Sequence, residues 1–147
     1  MKLWIATMCI LFTCITHADE YTMNKQKVKQ KLIGCMNASD DRAIAQWNNC
    51  VTNAANNFKN LADVKMKNRI KEESFNAQGL YDDIKIYHTA INQCEQLQEL
   101  SFQGFSYSAQ CELRRAQDYY RYAMSSEIIY PSKWTEMNRI DNLYITF

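Results

Sequence analysis

The chain has 147 residues, the usual size of one domain, with 17 Lys and Arg against 16 Asp and Glu and a formal net charge of +1. This balance excludes the broad positive field with which a protein attracts nucleic acid or anionic lipid. Three glycines and one proline are too few for sheets and tight turns, so the composition predicts an all-α fold.

Residues 1–18 predict a secretory signal peptide. Lys2 supplies the positive start, residues 3–15 are apolar apart from small threonines, and residues 16–18 form a small-x-small cleavage site. The apolar run is shorter than the roughly 20 residues that cross a bilayer, so stable membrane insertion is not expected. The mature domain, 19–147, is expected to be secreted, extracellular and without net charge, because cleavage removes one cation and no acid.

Hydrophobic spacing predicts two helices in the first half of the mature chain. The first spans about 20–33 and ends at Gly34, in the left-handed conformation that glycine favours. The second follows a cap at Ser39 or Asp40. It is either one continuous rod to about Glu73 or two shorter helices, and the sequence leaves both open.

Two further helices are predicted over about 80–97 and 109–124, separated at Gly104. Pro131 ends the second of them because proline lacks the amide hydrogen that a helix needs. A short helix over 132–143 would then pack back on the others. Short connections favour an antiparallel bundle, so we expect four to five helices stapled by two disulfides.

Four cysteines remain in the mature chain: Cys35, Cys50, Cys94 and Cys111. An even number in an oxidising compartment predicts two disulfides. Bonding of Cys94 to Cys111 is geometrically reasonable, but it leaves Cys35 to Cys50, which requires the chain to fold back along the second helix. The pairing of Cys50 with Cys94 and Cys35 with Cys111 also joins cysteines at similar heights along the bundle. It is preferred because it closes longer loops and so removes more entropy from the unfolded chain. A zinc site is not expected, because the short Cys-x2-4-Cys spacing is absent.

No known catalytic, phosphate-binding or dinucleotide-binding motif occurs in the sequence. His88 is interpreted as a surface histidine, since Asp83 lies five positions away and off its face. The acidic pair 82–83 is interpreted as the start of a helix, and the lysine-rich runs 25–31 and 65–71 as solvated faces. The protein is therefore expected not to be an enzyme, with no catalytic residue, metal or cofactor.

Asn37-Ala38-Ser39 is an N-glycosylation sequon. It falls in the predicted connection between the first two helices, where an oligosaccharide would project into solvent. The alternative is that Ser39 only caps the second helix.

Aromatic residues are concentrated in the last third of the chain. Tyr119, Tyr120 and Tyr122 cannot all face one core, so at least one is expected to be partly exposed or to line a cleft. The alternative is a wide helix face buried on two sides. The predicted partner-binding residues are Tyr107, Tyr119, Tyr122, Tyr130 and Trp134.

These features predict a secreted, non-enzymatic binding or effector protein, whose unknown extracellular partner contacts a Tyr-rich helical surface. In general style the chain resembles the small four-cysteine helical proteins that arthropods secrete. One alternative is a carrier of small apolar ligands, similar in concept to insect odorant-binding proteins, which have six cysteines and a Cys-x3-Cys pair that this chain lacks. A second is a cytokine-like four-helix signal. No nucleic-acid partner is expected.

Overall fold

Four helices account for most of the described chain in the computed structural model. It describes residues 2–39, 44–97, 101–102 and 105–125, and side chains over 19–39, 44–97 and 106–125. The helices are α1 (Lys2–Ala38), α2 (Ile44–Glu72), α3 (Ala77–Asn92) and α4 (Tyr107–Ser125). The minor elements are two 3-10 segments, Ser74–Asn76 and Gln93–Leu97, and an antiparallel pair of two-residue strands, β1 (Ser101–Phe102) and β2 (Phe105–Ser106). The predicted all-α, antiparallel bundle with two disulfides is confirmed, while Asp40, Gly104, Tyr130, Pro131, Trp134 and 132–143 lie outside the described residues.

Helices that are adjacent in sequence run antiparallel. Glu20 of α1 bonds Lys65 of α2, and His88 of α3 bonds Asp63, also in α2. Consequently α2 and α4 run in the same direction, and they make the most extensive contact in the bundle. In this arrangement α1 covers one flank of the α2–α4 pair and α3 covers the other.

Buried alanines explain the close contact between α2 and α4. Ala55 and Ala62 are spaced by seven residues on α2, and Ala109, Ala116 and Ala123 have the same spacing on α4; all five are buried. Small side chains at facing positions let two helices approach, since the distance between axes depends on the residues at the contact.

The second helix is continuous. Its buried residues, listed in order, are Cys50, Val51, Ala54, Ala55, Phe58, Ala62 and Met66. This stripe keeps the three- and four-residue spacing of a helix and passes Asn60 without interruption. Of the two alternatives that the sequence leaves open, α2 is therefore the single rod, ending at Glu72.

The predicted end of the first helix at Gly34 is wrong. Gly34 lies inside α1, which continues to Ala38, and its backbone is not left-handed. The Ser39 side chain is not an N-cap of α2, which begins at Ile44; its Oγ donates a hydrogen bond to the Cys35 carbonyl oxygen at 2.8 Å. A helical glycine costs only about 1 kcal/mol relative to alanine, and this last turn of α1 is held by bonds to other parts of the chain.

The preferred disulfide pairing is also wrong. The disulfides join Cys35 to Cys50 and Cys94 to Cys111, with Cα–Cα distances of 5.8 and 5.7 Å. Because α1 extends to Ala38, Cys35 lies about one turn before its end, and Cys50 lies less than two turns after the start of α2. The two cysteines therefore face each other at one height, and no strained return of the chain is needed.

The disulfides are consistent with an oxidising compartment. Among the described helices, none is both long and apolar enough to cross a membrane.

Candidate functional site

Three tyrosines of α4, Tyr119, Tyr120 and Tyr122, are core residues, so Tyr119 and Tyr122 do not form the predicted contact surface. Tyr119 and Tyr120 are 0% exposed and Tyr122 is 4% exposed. The wide buried face of α4 arises because α1, α2 and α3 all pack against it. Tyr119 and Tyr122 point toward α3, while Tyr120 points toward α1.

Tyr87 of α3 stacks against both Tyr119 and Tyr122. The ring centroids are 5.0 Å apart in each pair, with angles of 19° and 25° between the ring planes. Stacked rings at this distance contribute about 0.5–1.5 kcal/mol beyond the burial of their area. This tyrosine cluster therefore fixes the packing of α3 on α4.

Within the tyrosine cluster, the hydroxyl groups of Tyr119 and Tyr122 are bonded to carboxylates at the edge of the core. Tyr119 donates to Asp63 Oδ1 at 2.9 Å, and Tyr122 donates to Asp83 Oδ2. Burial, reinforced by the Asp63 carboxylate, raises the pKa of Tyr119 well above its ordinary value. Burial and the Asp83 carboxylate raise the pKa of Tyr122 to about 12. Both side chains remain neutral hydrogen-bond donors at physiological pH.

His88 has a partner that the sequence did not identify. Its Nε2 lies 2.8 Å from Asp63 Oδ1, the atom that also accepts the bond from Tyr119, and the edge of its ring meets Tyr119. The side chains of His88 and Asp63 are half-buried. A carboxylate shared by two donors joins α2, α3 and α4, which gives His88 a structural role.

Asp83 is not the partner of His88. It accepts a hydrogen bond from Tyr122 of α4, whereas His88 contacts Asp63 of α2. The pair 82–83 does not lie at a helix start, because α3 begins at Ala77. The interpretation of these acids as capping residues is therefore wrong. The role of His88 is visible only in its contact with Asp63, a residue 25 positions earlier in the sequence and in another helix.

Tyr120 connects α4 to α1 through its ring and its hydroxyl group. The ring stacks on Tyr21 with a centroid distance of 5.5 Å, and Asn24 Nδ2 donates to the Tyr120 hydroxyl oxygen at 2.8 Å. Burial raises the pKa of both tyrosines. The polar tip of Tyr120 therefore stays satisfied although the residue is fully buried.

A cleft of about 310 Å³ lies between the C-terminal ends of α2 and α4. Its lining residues are Lys65, Asn68, Arg69, Glu72, Glu73, Ala123 and Met124. Both cations in the lining are already paired: Lys65 with Glu20 at 2.7 Å, and Arg69 with Glu73 at 3.1 Å. The Arg69 guanidinium also lies 5.4 Å from the centre of the Tyr122 ring. The cleft is thus polar and its charges are largely balanced.

The lysine-rich run 65–71 divides between two sides of α2. Lys65 is directed toward α1, where it pairs with Glu20. Arg69 lies against the Tyr122 ring of α4 and pairs with Glu73, four residues later in the chain. Lys67 and Lys71 are spaced by four residues, so they share a different side, and both are exposed. The predicted solvated face therefore applies to Lys67 and Lys71 but not to their neighbours.

Lys67 and Lys71 belong to a surface that α3 completes. The contact between Asp63 and His88 sets the register of the two antiparallel helices. Lys67 lies one turn beyond Asp63 and Lys85 lies one turn before His88, which places the two lysines at one level. By the same count Lys71 lies level with Tyr81.

We define the α2–α3 face by five exposed residues, Lys67, Lys71, Phe75, Tyr81 and Lys85. Phe75, in the connection between the helices, is 91% exposed, and Tyr81 is 56% exposed. Within the described part of the chain, none of the three lysines forms an ion pair. Phe75 and Tyr81 could not be identified as surface residues from the sequence, because an aromatic residue in a sequence carries no sign of exposure.

The remaining predicted site residues have different environments. Tyr107 is partly buried against the Cys94–Cys111 disulfide. Asn37 is exposed in the last turn of α1. Tyr130 and Trp134 fall outside the described residues. In the ranges for which side chains are described, no group of three or more His, Cys, Asp or Glu residues is arranged to hold a metal ion.

Comparisons of the chain with known protein families, with curated proteins and with solved structures found no match.

Proposed function

We propose that the protein is a secreted, non-enzymatic binding protein that recognises another extracellular macromolecule through the α2–α3 face. The carrying observation is the exposure of Phe75 and Tyr81 beside three lysines of that face, none of which forms an ion pair with another described residue. Aromatic residues are enriched at the centres of protein interfaces, where their large rigid rings fill pockets on the partner. Lysines around such anchors supply charge at the solvated rim.

Secretion is supported by two features. Residues 1–18 have the pattern of a signal peptide. The four cysteines of the mature chain form two disulfides, which persist in oxidising compartments.

A carrier of apolar ligands receives less support than a macromolecular binder. Apolar ligands bind in cavities lined predominantly by hydrophobic and aromatic side chains. Charged and amide side chains account for five of the seven residues that line the cleft between α2 and α4. This cleft does not suit an apolar guest.

Site-specific photocrosslinking tests the proposal. A benzophenone side chain replaces Tyr81 in one variant and Ile86 in a matched control, because Ile86 is also exposed on α3 but lies away from the α2 side. Each variant is added to the extracellular medium of the tissue that secretes the protein and is then irradiated.

The position-81 variant should form one discrete adduct that excess unlabelled wild-type protein suppresses, and the position-86 variant should not. Identical adducts from both positions, or no suppressible adduct from position 81, would contradict the proposal.

A further inference from the structure

The hydroxyl group of the glycosylation sequon is hydrogen-bonded at the folded end of α1. Asn37 lies in the last helical turn and is exposed. Ser39 Oγ donates to the Cys35 carbonyl oxygen at 2.8 Å and lies 3.8 Å from Cys50 Sγ. The hydroxyl group of the sequon is therefore already engaged at the Cys35–Cys50 disulfide.

Transfer of an oligosaccharide needs the asparagine amide and the hydroxyl group together. The Asn37 Nδ2 atom attacks C1 of the first sugar of a lipid-linked oligosaccharide diphosphate and forms the N–C1 bond. The C1–O bond breaks, the lipid diphosphate leaves with the electron pair, and the amide proton passes to a base on the transferase. The transferase binds the serine hydroxyl in the same site, which requires an extended peptide.

Ser39 is the first residue after α1, and its backbone N–H donates to the Met36 carbonyl oxygen at 3.2 Å, so residues 36–39 form a turn and are not extended. The exposed Asn37 amide and the Ser39 hydroxyl, which is bonded to the Cys35 carbonyl oxygen, are therefore not presented together to one site. The folded protein nevertheless accommodates an attached glycan, because Asn37 is exposed. A glycan there would also extend over Ile33, which lies one turn earlier on the same side and is exposed.

We propose that Asn37 is an N-glycosylation site whose occupancy is decided by competition with closure of the Cys35–Cys50 disulfide. Transfer takes place while residues 35–39 are extended. Once the disulfide closes and the last turn of α1 forms, Ser39 is bonded to Cys35 and the site is no longer a substrate. The proposal requires entry into the secretory pathway but does not depend on the α2–α3 face.

Pulse-labelling of the full chain in secretory eukaryotic cells tests this competition. Occupancy is measured as the fraction of total labelled chain, secreted and retained, whose mass falls on treatment with a glycan-removing amidase. The total pool is used so that a variant that folds poorly still gives a result. Asn37→Gln is the negative control.

The test variant carries Cys35→Ala with Cys50→Ala, and the matched control carries Cys94→Ala with Cys111→Ala, which removes the other disulfide. Alanine is chosen because serine at position 50 or 94 would complete a new sequon beginning at Asn48 or Asn92. A second measurement labels the wild-type chain in the presence of a membrane-permeant reductant, which delays closure without a substitution.

Wild-type chains should be glycosylated in part. The fraction should rise at least twofold when Cys35 and Cys50 are replaced or when reductant is present, and should not rise in the control without Cys94 and Cys111. Equal occupancy in all three proteins, or no glycan in any of them, overturns the proposal. A negative crosslinking result at position 81 does not change the measured glycan occupancy. Failure of the proposed function can therefore be distinguished from failure of this inference.

Discussion

Replacement of Gly34 by alanine should stabilise the protein, because Gly34 lies in the interior of α1 and not at its end. A Cβ atom added at Gly34 meets no other atom within 4 Å, and the backbone there is not left-handed. Alanine is favoured over glycine in a helix interior by about 0.8–1.0 kcal/mol. No steric or conformational penalty opposes this gain, so the free energy of unfolding should rise by about 1 kcal/mol.

Urea denaturation of the disulfide-bonded domain 19–147, followed by circular dichroism, measures this change. With a denaturant slope of about 2 kcal/mol/M, a gain of about 1 kcal/mol moves the midpoint upward by about 0.5 M. Gly79→Ala is the matched control, because Gly79 also lies in a helix, but its added Cβ would approach Asn76 Oδ1 to 2.6 Å. The Asn76 side chain must then rotate, so the control should gain less.

The opposite sign at Gly34 would refute the reasoning. If α1 ended at Gly34 in a left-handed turn, alanine would be strained there and the protein would lose stability, by roughly 1 kcal/mol or more. A midpoint that falls in Gly34→Ala therefore contradicts the continuation of α1 to Ala38. It would also remove the geometry that brings Cys35 level with Cys50.

Three further outcomes follow from the core and the disulfides. Tyr119→Phe removes the hydroxyl bonded to Asp63 and should lower the free energy of unfolding by about 1 kcal/mol, measured by urea denaturation; an unchanged midpoint would mean that the bond contributes nothing. Tyr122, whose pKa is raised to about 12, should stay neutral in the folded state above pH 10, the range in which it ionises when unfolded. The stability that Tyr122 contributes through its raised pKa is therefore complete below pH 10 and is lost as the pH rises from 10 to about 12. Phenolate absorbance and the free energy of unfolding, each measured against pH, test this expectation. The variant Tyr122→Phe should lose less stability than the wild type over that range. Removal of the Cys94–Cys111 disulfide by paired alanines, which opens a loop of sequence separation 17, should cost about 3 kcal/mol in thermal or urea unfolding, and a loss below 1 kcal/mol would contradict the loop-entropy estimate.

Local patterns were sufficient to predict the helices. The buried stripe of α2 repeats every three or four residues, and α4 shows the same period through Ala109, Leu113, Ala116, Tyr120 and Ala123. Helix ends were predicted less well. Gly34 suggested a boundary, but it lies inside α1, because a cost of about 1 kcal/mol is small beside the tertiary contacts of the surrounding turns.

The candidate site depended on information that no local pattern contains. A tyrosine has an apolar ring and a polar tip, so Tyr119 and Tyr122 suited a contact surface as well as a core. Contacts with Asp63 of α2 and Asp83 of α3 place the two tyrosines in the core. The exposure of Phe75 and Tyr81 depends in the same way on what the bundle leaves uncovered.

By itself, the sequence determined that this protein is helical and predicted that Cys35, Cys50, Cys94 and Cys111 form two disulfides, because helical periodicity and residue counts are properties of the chain alone. The tertiary structure decided which cysteines pair and which of the described tyrosines are buried. Each of these depends on the relative height and rotation of neighbouring helices. Those quantities are set by packing between residues far apart in sequence, such as His88 on Asp63 and the close approach of α2 to α4.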